Sequence, residues 1–144
     1  MEINNMGYSI RTPYRRDDTL QIRSMKARFP NFKTYKEKRD LVFKGTLKVD
    51  PSFPVYTVKI IYRGNDMPLV SIISPKLKPN APHRYKGGYL CLYHPNVFHW
   101  NGQKLIAKEI ITWTAAWIYF YECWKQTGEW YGPEIPHKVK SKKQ

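Results

Sequence analysis

One cysteine lies in a loop whose composition suits a reactive thiol. Cys91 follows the glycine pair Gly87 and Gly88 and stands between Leu90 and Leu92. A cysteine thiolate is a strong nucleophile near neutral pH, and a thioester formed on it passes its acyl group to an amine or to another thiol. These residue types therefore predict acyl transfer, with Cys91 as the nucleophile.

A helix and a sheet are predicted ahead of this loop. Asp17 or Asp18 is a suitable cap for a short basic amphipathic helix from Thr19 to about Phe29, which Pro30 ends. Three further segments are rich in β-branched and aromatic residues and are separated by turn residues. They predict an antiparallel meander with strands at Leu41 to Val49, Tyr56 to Tyr62 and Leu69 to Ser74.

A second helix is predicted after the loop. Apolar residues alternate at spacings of four and three, which is the pattern of a helix of about five turns with one apolar face. Gly128 is a natural end for it. Cys123 lies beside the stripe and is expected to be a buried, inert thiol. The stripe consists of Ile106, Ile110, Trp113, Trp117, Phe120 and Trp124.

Length and composition predict one α+β domain, in which the N-terminal helix and the long C-terminal helix pack on the meander. The 144 residues are 42% hydrophobic and 15% aromatic, enough for a single core. We expect an irregular lead-in at 1–16, the domain at 17–137 and a flexible basic tail at 138–144. The net charge of +14 favours an acidic partner, protein or nucleic acid.

The sequence also predicts a compartment. Its two cysteines, with no apolar signal segment and no run long enough to cross a bilayer, predict a cytoplasmic protein without membrane contact. No cofactor is expected.

The loop around Cys91 resembles the active-site segment of ubiquitin-conjugating enzymes. In that family a His-Pro-Asn triplet, a glycine and a leucine or isoleucine precede the cysteine, and a leucine and then a tryptophan follow it. The residues that occupy these places here are Pro82, Gly88, Leu90, Leu92 and Trp100. The order of predicted elements also fits the family's fold, and the resemblance covers roughly residues 19 to 127.

Two departures and a downstream segment narrow the resemblance. Ala81-Pro82-His83 replaces the triplet, so His83 stands in the place of an asparagine thought to assist transfer, and Tyr93 replaces the usual aspartate. The residues from Trp113 to His137 are similar to the stand-alone bacterial homologues of short type II CBASS antiphage operons. That resemblance implies that the donor is the C-terminus of a cyclic-oligonucleotide synthase, carried as a thioester on Cys91 and passed to an unknown acceptor protein.

The resemblance assigns roles to other side chains in the loop. His83 is expected to hydrogen-bond the thioester oxyanion or to act as a base, unless it only braces the loop. Positive charge from Arg84, Lys86 or protonated His83 is expected to lower the pKa of Cys91 and to draw in an acidic donor tail. Tyr93 either orients the acceptor or packs, and Trp100 holds the loop in place.

Other functions stay open at this stage. The donor could be a bacterial ubiquitin-like protein, or the chain could be a non-catalytic scaffold or a nucleic-acid-binding module. A cysteine hydrolase would use Cys91 with His83, His94, His99 or His137 as its base, although no protease signature surrounds the cysteine. Zinc bound by Cys91, His94 and His99 would lack a standard spacing and a fourth ligand, so no metal is expected.

Overall fold

The computed structural model of the chain describes residues 2–3, 9–10 and 16–133. Inside the predicted lead-in, strands β1 (Glu2–Ile3) and β2 (Ser9–Ile10) pair in antiparallel orientation. The predicted basic tail at 138–144 lies outside the described residues, and so does His137.

Helix α1 (Asp18–Arg28) confirms the predicted N-terminal helix and its cap. The Asp17 carboxylate accepts a hydrogen bond from the Leu20 N–H at 2.9 Å, which satisfies a free donor of the first turn. The buried face of this helix includes a polar residue, and its leucine is exposed. Leu20 is 46% exposed, whereas Gln21 and Met25 are each about 1% exposed.

Gln21 takes a core position because three main-chain groups satisfy its amide. Its Nε2 donates to the carbonyls of Lys104, at 2.8 Å, and Gly102, at 3.4 Å. Its Oε1 accepts from the Ile106 N–H at 3.0 Å. A buried polar side chain is tolerated when it is hydrogen-bonded in this way. Gln21 thereby joins α1 to the segment that leads into the second helix.

Four strands form one antiparallel sheet in the order in which they follow along the chain: β3 (Lys33–Glu37), β4 (Asp40–Leu47), β5 (Tyr56–Arg63) and β6 (Asp66–Ser74). The predicted three-strand meander is confirmed as β4, β5 and β6. The sequence prediction missed β3, because Lys-Thr-Tyr-Lys-Glu lies almost wholly exposed at the sheet edge and has no apolar alternation to reveal it.

Helix α2 (Ile111–Thr127) follows a π-helical turn (Ile106–Ile110) and confirms the predicted C-terminal helix. It ends at Gly128, whose φ of 80° is readily adopted by glycine and whose N–H donates to the Trp124 carbonyl at 2.8 Å. A hydrogen bond from the Tyr56 hydroxyl of β5 to the buried Glu122 carboxylate joins α2 to the sheet. The predicted α+β arrangement is thus confirmed.

The face that α2 buries is rotated from the predicted stripe. Thr114, Ile118 and Tyr121 are buried, together with Ile110 and Trp117 from the stripe. Three stripe residues, Trp113, Phe120 and Trp124, are only half-buried. Hydrophobic spacing alone could not predict this rotation of the buried face, because the face includes the polar residue Thr114. Its burial is possible because its hydroxyl donates to the Ile110 carbonyl within the helix at 2.7 Å.

Candidate active site

A short hairpin places Cys91 beside the edge of the sheet. Tyr85 N–H donates to the Tyr89 carbonyl at 2.7 Å, and Gly88 N–H donates to the Tyr85 carbonyl at 2.9 Å. Gly87 and Gly88 form the tip with φ angles of 97° and 93°, which residues other than glycine rarely adopt. Leu90 N–H then donates to the Val70 carbonyl of β6 at 2.8 Å. The residue before Cys91 is therefore bonded directly to the sheet.

His83 holds Cys91 from the other side through its main chain. The His83 carbonyl accepts hydrogen bonds from the Cys91 N–H, at 2.9 Å, and from the Trp117 Nε1–H of α2, at 3.1 Å. Its φ is 57°, an uncommon value for a residue with a side chain. The imidazole packs against Trp130, with 4.7 Å between ring centroids. Cys91 is thus positioned between the edge of the sheet and α2.

The Cys91 thiol is fully buried in this structure. Burial raises the pKa of Cys91 to about 11, and a hydrogen bond from the Tyr85 hydroxyl acts in the opposite direction. The prediction that positive charge lowers the pKa of Cys91 is wrong for this structure. The Arg84 guanidinium instead donates to the carbonyls of Pro79, at 3.0 Å, and Lys78, at 3.3 Å, and burial outweighs any nearby charge.

A small apolar cavity of about 30 Å³ adjoins the thiol. Its wall on the α2 side is aromatic, and Trp130 and Pro133 close it from the segment that follows the helix. The Trp130 ring also contacts Trp117, at 5.7 Å between centroids, and Phe120, at 5.9 Å. The lining residues are Cys91, Leu92, Trp113, Ala116, Trp117, Phe120, Trp130 and Pro133.

Tyr93 packs inside the loop, as one of its two expected roles implied. It is 7% exposed, and its ring lies 4.7 Å from that of Phe98 and 5.6 Å from that of Trp113. Burial raises the pKa of Tyr93 to about 12. Its hydroxyl is buried with no hydrogen-bond partner among the described residues. Tyr93 thus packs within the loop with its hydroxyl shielded from solvent.

The remaining predicted site residues lie around the loop. Trp100 donates from Nε1 to the Gly64 carbonyl at 2.9 Å and packs edge-on against Tyr62, which fixes the end of the loop on the sheet. Pro82 is half-buried beside His83, and Lys86 is exposed at the hairpin tip. Arg84 lines an open groove of about 440 Å³ with Lys76.

Cys123 is half-buried on α2, less buried than predicted. In the part of the chain that the structure describes, no three His, Cys, Asp or Glu residues are placed to bind a metal ion. The zinc alternative with Cys91, His94 and His99 therefore has no geometric support.

Sequence reasoning missed two residues of the site. Tyr85 lies between two cations in the sequence, and only the hairpin turns its hydroxyl back onto Cys91. Trp130 belongs to an aromatic segment after Gly128, and its spacing in the sequence could not show that it lines the cavity beside the cysteine.

The family model of the type II CBASS E2 protein matches residues 21–138. The chain belongs to this family. Membership confirms the resemblance to ubiquitin-conjugating enzymes and to CBASS homologues. The match in this CBASS E2 protein extends beyond α2 and includes the Trp130 segment that covers Cys91. No curated protein matches the chain.

Family membership implies protein partners from a CBASS operon, since that is the context in which this E2 family is defined. Within the described ranges, no helix of this E2 protein is long and apolar enough to span a membrane.

Proposed function

We propose that Cys91 carries the C-terminal acyl group of a protein donor as a thioester and passes it to an acceptor amine. The donor that we propose is the cyclic-oligonucleotide synthase of the CBASS operon. The position of Cys91 is the observation that carries the proposal. The main chain on both sides of the thiol is hydrogen-bonded, to β6 through Leu90 and to His83, and the thiol adjoins a cavity. Membership of the E2 family supports the conjugating chemistry.

The chemistry requires a donor whose carboxyl is already activated, as a thioester on a carrier or as an acyl adenylate. Cys91 Sγ attacks the carbonyl carbon, a C–S bond forms, the carrier thiolate or adenylate leaves, and the thiol proton passes to solvent or to the leaving group. In the second step the acceptor amine attacks the thioester carbon. The C–S bond then breaks, and the Cys91 thiolate recovers a proton.

The closed site supports an ordered reaction. A thiol with a pKa of about 11 is almost entirely protonated near pH 7, so it is a poor nucleophile and resists oxidation until the site opens. Arg84 lies at the base of the hairpin that leads to the thiol, and Lys86 lies at its tip. We propose that they attract an acidic donor tail, which is consistent with the net charge of +14.

Co-expression with the operon neighbours tests the donor. We expect an adduct, observed by intact mass measurement, that has the summed mass of this chain and the synthase less one water and that disappears on treatment with excess thiol. Deleting the C-terminal residue of the synthase should abolish it, because that residue supplies the acyl group.

Three outcomes would contradict this proposal. An adduct that persists with the truncated synthase would exclude the C-terminus as the donor. A thiol-labile adduct whose mass matches a ubiquitin-like neighbour would replace the synthase as the donor. Absence of any adduct with the intact partners would leave the scaffold interpretation and refute the carrier function.

His83→Asn separates the two roles expected for this histidine. Asparagine tolerates a positive φ, so the carbonyl that holds Cys91 and Trp117 should stay in place. Because the structure directs the His83 ring onto Trp130, we expect acyl transfer within about threefold of wild type. His83→Val, strained at that φ by about 1–3 kcal/mol, should lose stability and adduct together.

Single-turnover transfer from the preformed adduct is the measurement. A loss of roughly 100-fold in His83→Asn, with adduct formation intact, would assign the imidazole to acid–base or oxyanion chemistry instead.

A further inference from the structure

Tyr85 covers the thiol from the hairpin side. Its side chain is 37% exposed, whereas Cys91 beneath it has no exposed surface. The Tyr85 hydroxyl is hydrogen-bonded to the Cys91 thiol. Burial is the largest cause of the raised pKa of Tyr85 and this contact adds to it, whereas for Cys91 the same hydrogen bond partly offsets the rise caused by burial. That sign is the one expected when the phenol donates and the sulfur accepts.

The hairpin that carries Tyr85 is held at its base and unpacked at its tip. An antiparallel β-bridge between Arg84 and Leu90 closes the base, and the Leu90 N–H is hydrogen-bonded to β6. At the tip, an added Cβ on Gly87 or Gly88 would meet no atom within 4 Å. The space on the Cβ side of these two glycines is therefore open among the described residues, and their φ/ψ freedom allows the tip to change conformation.

The walls on the other sides of the thiol are formed by larger, better-packed elements. Trp113 and Trp117 belong to α2, and Trp130 packs against His83 and Trp117. Charged and titratable neighbours are few, and one of them is the buried Tyr93, which interacts electrostatically with Tyr85. The Arg84 guanidinium is bonded to two carbonyls, Lys86 is exposed, and the His83 ring packs on Trp130.

We infer that Tyr85 is a positioning residue that both closes the site and prepares its nucleophile. With the hairpin closed, the phenol ring excludes solvent and the hydroxyl donates to sulfur. When a donor displaces the tip, the thiol becomes accessible while the phenol remains close enough to bond the developing thiolate. The inference rests on the proposed role of Cys91 as nucleophile, but it concerns a property of the free protein.

Two variants at this position should have opposite effects, which distinguishes the ring from its hydroxyl. Tyr85→Phe keeps the cover and removes the donor, so the thiol should become a weaker acid. Tyr85→Ala removes both and admits water, which relieves the burial that is the largest cause of the raised pKa. A residue with a merely structural role would not give changes of opposite sign.

Alkylation of Cys91 by iodoacetamide, followed by mass spectrometry from pH 7 to 11, measures these effects without any donor. All variants carry Cys123→Ala so that one thiol remains. We expect Tyr85→Phe to react roughly tenfold more slowly than its parent at pH 8, with its rate–pH profile moved to higher pH, the scale of one hydrogen bond to a charged group. Tyr85→Ala should react at least about tenfold faster.

Tyr89→Phe is the matched control, because Tyr89 lies on the same hairpin and, unlike Tyr85, does not contribute to the pKa shift of Cys91. Its alkylation should equal that of the parent. Equal rates and pH profiles for Tyr85→Phe and the parent would overturn the inference, as would slower alkylation in Tyr85→Ala. These results can be distinguished from a failure of the proposed function. In that case the wild-type protein would form no thiol-labile adduct, although its Cys91 would still be alkylated as expected.

Discussion

Replacing Cys91 by alanine is expected to abolish the thiol-labile adduct completely, whereas Cys123→Ala should leave it at the wild-type level. Cys91 alone is held between β6 and α2 and adjoins the cavity, while Cys123 is half-buried on α2 and does not line that cavity. The effect is total because no second nucleophile is proposed for the acyl group. Intact mass measurement of the co-expressed proteins, with and without added thiol, provides the comparison.

Cys91→Ser extends the comparison. A serine in the same position would retain the acyl group as an oxygen ester, which resists thiols and is cleaved by hydroxylamine or base. An adduct that is stable to thiol in Cys91→Ser would therefore fix the site of attachment. If the adduct instead survived in Cys91→Ala and vanished in Cys123→Ala, the assigned nucleophile would be wrong.

The sequence predicted the helices and strands wherever the local interactions of a residue agree with its burial in the fold. Asp17 caps α1 because its carboxylate reaches a free N–H of the first turn, a local interaction that needs no partner from elsewhere in the fold. Gly128 ends α2 for a similarly local reason, its positive φ. Strands β4 to β6 alternate or run apolar because one face is buried, so their pattern also predicted them.

Elsewhere, tertiary contacts determine which residues are buried, and the hydrophobic pattern of the sequence does not predict it. Gln21 is buried because it bonds main-chain groups more than eighty positions away, and Leu20 is exposed in consequence. The exposed edge strand β3 has no hydrophobic signal. A buried amide and an edge strand are both defined by their neighbours in space, which one sequence does not reveal.

The same limit applies to the site. The proposal of Cys91 as the nucleophile rests on features that the sequence shows, its residue type and the spacing of Gly88 and Leu90 around it. The direction of its pKa shift could not be predicted, because it depends on how deeply the thiol is buried. Counting nearby cations suggested a lowered pKa, whereas desolvation dominates in the closed structure. The covering roles of Tyr85 and Trp130 likewise depend on contacts made by the folded chain.

Trp130→Ala is expected to destabilise the protein and to expose Cys91 in the same step. The indole packs against His83, Trp117 and Phe120 and lines the cavity beside the thiol. Truncating a fully buried tryptophan costs about 3–5 kcal/mol, but Trp130 is half-buried and its Nε1–H has no acceptor among the described residues. We therefore expect a loss of about 2 kcal/mol in the free energy of unfolding, measured by urea denaturation.

The neighbouring Tyr131 provides the matched control, since it is 63% exposed and Tyr131→Ala should change stability by less than about 0.5 kcal/mol. In the Cys123→Ala background, Trp130→Ala should also speed alkylation of Cys91 at pH 8, because solvation lowers the raised pKa and increases the thiolate fraction. Destabilisation without faster alkylation would mean that the Trp130 segment stabilises the fold but does not cover the thiol. Both effects together would make this segment a second cover of the site besides Tyr85, so that a donor reaches Cys91 only by displacing one of the two aromatic covers.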